Sequence, residues 1–375
     1  MTYPPTSRTR LRKVAALLAG MVALVSAPLA AKQEPQRARN VILFLGDAGG
    51  LSTLNAAGIL AHDKPQSLYI QSMPHIGLSD TSSTDRWVTD SAAGMTAIMT
   101  GRKTGNGVVS MAPGPGGAPL KTLLEYAEER GLSTGVVTNM KIWDATPAAC
   151  YAHAASRKSK DEIFAQMLRP RFGNGVDILL GKGKADALAS FSARGTSAQQ
   201  AFTGAGYRFG DDPALIGSAS RAVVLRDEDY APLPAVSATV KQLARNPKGY
   251  FLMVEWDMHT DDPQAGLRHV IEMDDMIRQI SAQAGKDTLI LFTADHSFGL
   301  RLMGGKRGTP LQAQFDAEAT KPGATPANNA VIPVDDGHSG EEVIAAASGP
   351  GAERVRGFFP NTQLFDVMLE AFGWR

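Results

Sequence analysis

Ser91 stands between an acidic residue and a run of small ones, in the stretch Thr89-Asp90-Ser91-Ala92-Ala93-Gly94 that continues to Gly101. That order predicts a helix beginning near Ser91 and ending at Gly101. The plain role for Asp90 or Ser91 is an N-cap, which is what a serine at a helix start usually does. The chemical reading puts Ser91 at the positive end of the helix, where an anion docks and a serine alkoxide is favoured. Three clusters elsewhere in the chain decide for the chemistry.

The first is Gly46-Asp47-Ala48-Gly49-Gly50, directly after the apolar run Asn40 to Leu45. An ordinary turn explains such an aspartate about as well as a ligand site does. The second is Glu255, Asp257, His259, Asp261 and Asp262, following the apolar run Tyr250 to Val254. Four carboxylates and an imidazole in eight residues repel one another unless solvent or a cation separates them. The third is Thr293-Ala294-Asp295-His296, after Thr288 to Phe292, with Gly337-His338-Ser339-Gly340-Glu341 further on. Adjacent Asp and His at a strand end can chelate one metal, and imidazole with carboxylate is zinc chemistry. His62, His75 and His269 lack such company and read as surface or packing residues.

These clusters need a scaffold that brings strand ends together. Continuous apolar runs at 40–45, 134–138, 176–180, 250–254 and 288–292 suit parallel strands buried on both faces. Helices are expected at about 52–61, 120–130, 235–245, 263–284 and within 359–372. Another starts at Asp144-Ala145-Thr146-Pro147, with His153 and Arg157 on it or at its end. The alternation predicts an α/β fold: a doubly wound, mostly parallel sheet with helices on both faces and its active site at the carboxyl edge of the strands. The stretch 160–245 reads as α/β filler without chemistry. Residues 303–335, rich in Gly, Pro, Ala and Lys, read as a flexible insertion at the surface of a domain spanning 38–375.

Arg8, Arg10, Arg12 and Lys13 precede an apolar run from Val14 to Leu29, with small residues at Ala27, Ala30 and Ala31. Residues 1–31 thus read as a secretory signal peptide, the alternative being an uncleaved anchor. Export to the periplasm or medium follows, with no stable membrane partner after cleavage. The net charge of +1 among 375 residues implies no polybasic or acidic partner and no nucleic acid. Cys150 is the only cysteine, so no intrachain disulfide forms and the core must supply the stability.

Taken in order, Gly46-Asp47, Thr89-Asp90-Ser91-Ala92-Ala93, Asp144-Ala145-Thr146-Pro147-Ala148-Ala149, Ser156-Arg157, Val254-Glu255, Thr293-Ala294-Asp295-His296 and His338-Ser339-Gly340-Glu341 resemble the alkaline phosphatase family. The resemblance implies a phosphomonoesterase with two zinc ions and one magnesium ion. It implies Ser91 as the nucleophile, phosphorylated and then hydrolysed, and Arg157 as the clamp on the substrate phosphate. Asp47, Asp295 and His296 would bind one zinc, with Asp47 bridging to magnesium, and His338 would bind the other zinc. Thr146 and Glu255 match the magnesium ligands, with Asp144 in the outer shell. Small phosphomonoesters and inorganic phosphate are the implied partners. Family members are often dimers, although this chain is short enough to lack the insertions that stabilise such an interface.

The residue types suit that chemistry. A phosphate monoester dianion repels nucleophiles, so cations must neutralise its oxygens, and two metals about 4 Å apart can stabilise the attacking and leaving oxygens. A guanidinium can grip two phosphate oxygens at once. The rivals are a phosphodiesterase of the same superfamily, a sulfatase, and a non-catalytic exported binder of phosphate or metal. The segment around Ser91 lacks the Cys/Ser-x-Pro-x-Arg pattern of a sulfatase, and simple binding needs no nucleophile.

The chain departs from the family after Glu255. The family places an aspartate five residues on and a histidine four beyond, where this chain has Thr260 and Gln264. Two assignments follow. Either Glu255 keeps the magnesium while Asp257 and His259 join His338 on zinc, or zinc takes Glu255 with His259 and the magnesium site is lost or altered. The first is preferred because Val254-Glu255 ends a strand, and Asp261 is a reserve ligand.

Overall fold

A computed structural model describes residues 37–375; the expected signal segment lies outside the described residues. Among them no helix is long and apolar enough to cross a membrane. The strands, in chain order, are β1 (Asn40–Asp47), β2 (His75–Asp80), β3 (Ser133–Lys141), β4 (Ile178–Lys182), β5 (Arg208–Gly210) and β6 (Ala222–Arg226). They continue with β7 (Tyr250–Asp257), β8 (Thr288–Ala294), β9 (Ser297–Leu300), β10 (Val334–Ser339), β11 (Val343–Ser348) and β12 (Gly357–Pro360). Ten of them form one sheet in the order β12-β2-β11-β8-β1-β7-β3-β4-β6-β5, and β9 pairs with β10 in a separate ribbon. All neighbours in the large sheet are parallel except β11, which runs against β2 and β8. This is the doubly wound, mostly parallel sheet expected from the sequence.

The two faces are built by alternation. On β1, Val41, Leu43 and Leu45 pack into one core with the Ser91–Thr100, Leu123–Glu129, Ala145–Tyr151 and Thr362–Ala371 helices. Ile42 and Phe44 pack into the other, with the Leu51–His62, Pro232–Leu243 and Pro263–Gln283 helices. A period of two therefore carries Asp47 to the face of the Ser91 helix, and Glu255 likewise, because Phe251 and Met253 of β7 belong to that same core.

Parallel pairing aligns the ends of the three central strands. Asp47 is opposite Asp257, and Gly46 is opposite Ala294, so Asp295 and His296 emerge beside Asp47. The expected insertion, 303–335, covers most of the connection from β9 to β10 and the first residues of β10. It carries a helix, Leu311–Ala319, and buries Leu311, Val331 and Ile332 in the core beneath the Pro263–Gln283 helix. The helix begun at Asp144 is shorter than its sequence suggests and stops at Tyr151, so His153 and Arg157 lie beyond it. The cause is long-range: Ala154 exchanges backbone hydrogen bonds with Val109, and His153 N–H donates to Gln166. These contacts pull the chain out of the helix.

Candidate active site

Asp90, not Ser91, is the N-cap: its Oδ1 accepts from Ala93 N at 3.1 Å, and Ser91 is the first helical residue. All ten residues of this helix are buried, and Gly101 ends it at φ 69°. Gly94 sets the approach of the helix to the sheet. A Cβ there would lie 2.7 Å from the backbone oxygen of Asp295, too close for any side chain.

Ser91 Oγ donates toward Asp47 Oδ1 at 3.5 Å and lies 3.2 Å from His296 Nε2. Asp47 Oδ1 and His296 Nε2 are 3.3 Å apart. Asp295 Oδ1 accepts from the backbone N–H of Ala48 and of His296, while its Oδ2 is buried without a partner. One donor atom from each of Asp47, Asp295 and His296 lies within 4.8 Å of the others, and the same holds for His259, His296 and His338. The three rings are oriented alike. His296 Nδ1 meets Ser297 O at 3.2 Å, His338 Nδ1 meets Thr89 O at 2.9 Å, and His259 Nδ1 meets Asp257 Oδ1 at 2.8 Å.

Arg157 is steered by two carboxylates. It donates to Asp144 Oδ1 at 2.9 Å and to Asp90 Oδ2 at 3.3 Å. Asp144 is itself the N-cap of the Ala145–Tyr151 helix, so the guanidinium hangs between the caps of two helices. Thr146 Oγ1 on the second helix is buried with no hydrogen-bond partner. Glu255, 1% exposed, accepts a short hydrogen bond from Thr138 of β3, its register neighbour.

Burial dominates the electrostatics. It raises Asp47, assisted by the charge of Asp295, to about 7, and raises Asp295 to about 6. Glu255 is pushed well above the carboxylate range by burial and then by Asp47. Burial also drives His296 down to about 3, which leaves a neutral ring with a lone pair to offer. Burial opposes the charged form of His259 too, but the Asp257 hydrogen bond and the charge of Asp47 outweigh it and lift that ring to about 9. Asp295 Oδ2 and Thr146 Oγ1, buried without a hydrogen-bond partner among buried acids, are oxygen donors of the kind a cation site requires. The donor set fits the metals that the sequence suggests: imidazole and carboxylate for zinc, and Asp47, Thr146 and Glu255 oxygens for magnesium.

Ser91, Asp47, His259, Asp295, His296 and His338 therefore meet, and Arg157, Asp144, Thr146 and Glu255 flank them. Asp257 lies outside both clusters of mutually close donors. Three neighbours went unread in the sequence. Thr138 holds Glu255, Asn139 Oδ1 accepts from Asp257 N at 2.8 Å, and Ser297 Oγ donates to Glu341 at 2.5 Å. His269, expected at the surface or in packing, is partly buried with its Nδ1 2.7 Å from Asp257 O. Sheet register brings Thr138 to Glu255, and the helix and loops packed on the sheet edge bring the others.

The family model for alkaline phosphatase matches residues 38–210 and 223–326. Streptomycin-6-phosphate phosphatase of Streptomyces griseus is 30% identical over 97% of this chain and 98% of its own length. The alkaline phosphatase of Escherichia coli K12 is 28% identical, covering 90% of this chain and 86% of its own. Among solved structures, a mutant TAB5 alkaline phosphatase with Mg bound superposes with a TM-score of 0.73 at 26% identity, over 91% of this chain and 100% of that one. With the family model spanning most of the chain and these relatives matching nearly end to end, this chain belongs to the alkaline phosphatase family and is a phosphatase.

Proposed function

We propose that the chain hydrolyses phosphate monoesters through a phosphoserine formed on Ser91, in a site holding two zinc ions and one magnesium ion. The observation that carries this reading is the position of Ser91 Oγ: at a helix N-terminus, 3.2 Å from His296 Nε2 and 3.5 Å from Asp47 Oδ1, with Arg157 hung beside the helix cap. Asp47, Asp295 and His296 would hold one zinc, His259 and His338 the other, and Asp47, Thr146 and Glu255 the magnesium. When bound, these ions would supply positive charge to the phosphoryl oxygens, the serine oxygen and the departing ester oxygen.

The residues divide the remaining work. Arg157 grips two phosphate oxygens through its planar fork, and Asp90 and Asp144 fix the plane of that fork. Ser91 Oγ forms a bond to phosphorus as the ester P–O bond breaks, and the proton it gives up passes through solvent to the departing alkoxide, which leaves as the alcohol. Water then attacks the phosphoserine, inorganic phosphate departs and Ser91 is restored. The N-terminus of the Ser91–Thr100 helix favours the negative charge that gathers at this point.

The decisive assay compares p-nitrophenyl phosphate with its bis ester, using wild type and Ser91→Ala at measured zinc content. Turnover of the monoester should fall at least about a thousandfold in Ser91→Ala, with zinc content nearly unchanged. Faster turnover of the diester would move the reading to a phosphodiesterase, and no turnover of either by the zinc-loaded chain would move it to a binder. Streptomycin 6-phosphate belongs in the substrate panel because the Streptomyces griseus relative is named for it. We also propose that the mature chain works outside the cytoplasm, on the strength of the basic and apolar pattern of residues 1–31.

A further inference from the structure

We propose that His153 is a positioning residue for Arg157: through its Nδ1 it locks the segment that carries Arg157 to the loop behind the Ser91–Thr100 helix, and so sets the guanidinium at a fixed offset from Ser91. The proposal rests on the reading of Arg157 as the phosphate clamp, and it concerns a buried histidine that the mechanism above leaves unused.

A closed ring of contacts joins the clamp to the nucleophile helix. Asp90, the cap of that helix, accepts from Gly107 N–H at 2.9 Å on the same Oδ2 that meets Arg157. Gly107 O in turn accepts from the backbone N–H of Arg157 at 2.7 Å. Two residues on, Val109 and Ala154 exchange backbone hydrogen bonds at 2.9 and 3.0 Å. Residues 107–110 therefore run between the helix cap and the Arg157 segment and act as a ruler between them. Thr96 ties the ruler to the helix itself: its Oγ1 donates to Val108 O at 3.2 Å and accepts from Ser110 N–H at 2.8 Å.

Ser110 is the far end of the ruler, and His153 holds it. A φ of 45° puts Ser110 in a left-handed conformation that a residue with a side chain rarely adopts. All its polar groups are engaged. The N–H goes to Thr96, Oγ donates to Ala149 O at 2.6 Å, and the carbonyl accepts from Leu120 N–H at 2.9 Å and from His153 Nδ1 at 2.8 Å. A carbonyl can only accept, so Nδ1 carries a proton. The ring of His153 is buried, with Nε2 between Glu125 Oε1 at 3.0 Å and Arg171 Nη1 at 2.8 Å. Gln166 grips its backbone as well, accepting the N–H at 2.9 Å and donating to the carbonyl at 2.8 Å. His153 thus has two limbs. The Nε2 limb anchors the ring to its surroundings, and the Nδ1 limb alone reaches the ruler to which the Arg157 amide is bonded.

The test separates the limbs. His153→Asn keeps an amide donor near the place of Nδ1, and His153→Gln keeps an amide near the place of Nε2. The readout is inhibition of p-nitrophenyl phosphate turnover by inorganic phosphate in the metal-loaded chain, with metal content followed by elemental analysis. His153→Gln should bind phosphate about fivefold more weakly at unchanged metal content, while His153→Asn should stay within about twofold of wild type. Coupling to Arg157 is the decisive measurement: added to Arg157→Ala, His153→Gln should cost less than about twofold more, because the group it positions is gone. Should His153→Gln not fold, His153→Leu, which removes both limbs, takes its place in the same cycle. Equal phosphate affinity in the Gln and Asn variants, or an undiminished loss in the absence of Arg157, overturns the proposal and leaves His153 a residue of the core. Unchanged phosphate inhibition in Arg157→Ala would instead overturn the clamp reading beneath it.

Discussion

The two sides of the site are held by different means. Asp47, Asp295 and His296 sit at the ends of adjacent central strands and are 5%, 0% and 0% exposed. Strand register puts them beside one another before any side chain chooses a rotamer. His259 and His338 come from the turn after β7 and from the two-stranded ribbon, and both remain partly exposed. Their directions depend on single hydrogen bonds from Nδ1, to Asp257 and to the carbonyl of Thr89. The lesson is one of rigidity: the sheet-anchored side is preorganised and the outer side is adjustable, so on the two-metal reading proposed above the outer ion should exchange first.

Removing a ligand from each side tests this most severely. Asp295→Ala should abolish turnover, by at least about a thousandfold, and strip the inner ion. His338→Ala should lose only the outer ion and leave the inner one bound. Elemental analysis of both variants checks this, and loss of both ions from His338→Ala would break the distinction. The next largest effect is expected at Gly94, where an added methyl must push the Ser91 helix off the backbone of Asp295. Gly94→Ala should cost on the order of a hundredfold in kcat, since a displacement near 1 Å at the nucleophile is enough for that. Its zinc content should stay near wild type because no ligand is touched; a normal kcat would mean that the helix yields freely.

Arg157→Ala should be milder. The chain should remain a slow phosphatase with phosphate bound about tenfold or more weakly, read from product inhibition, because cations would carry much of the remaining charge. Unchanged phosphate inhibition would exclude Arg157 from the clamp. The smallest effect is on stability and appears only in metal-free protein. His259, raised to about 9, contributes stability that is complete below its unfolded value of 6.5 and is lost as pH rises through 9. Asp47, raised to about 7 by burial, binds its proton longer when folded than when unfolded, so it too lowers stability as pH climbs toward 7. The chelated chain should therefore melt at progressively lower temperature from pH 6.5 to 9. The zinc-loaded chain should not follow this trend, and parallel melting curves for the two would refute it.

Much of this could be read from residue order. Each apolar run that became a central strand ended within a few residues of a candidate ligand, and the Ser91 helix runs from Ser91 to Thr100 with Gly101 closing it, as its small residues and glycine suggest. Short and edge strands went unread. β2, β9, β10 and β12 have four to six residues and little apolar periodicity, so pairing rather than composition makes them strands. The reach of the helix after Asp144 was overestimated because its end is set by the Val109–Ala154 pairing, more than forty residues apart in the chain.

The sequence by itself determined which chemical groups could meet, because a strand end or helix start is a local matter of polarity, periodicity and capping. It singled out Ser91, Asp47 and the Asp295-His296 pair as candidates on that basis, and the ordered resemblance to the alkaline phosphatase family is what gave them roles. What tertiary structure alone decided is which oxygen faces which nitrogen. Thr138 meets Glu255 only because β3 lies beside β7 in that register. Asp257 turns to the ring of His259 while Asn139 and His269, from distant elements, hold its backbone.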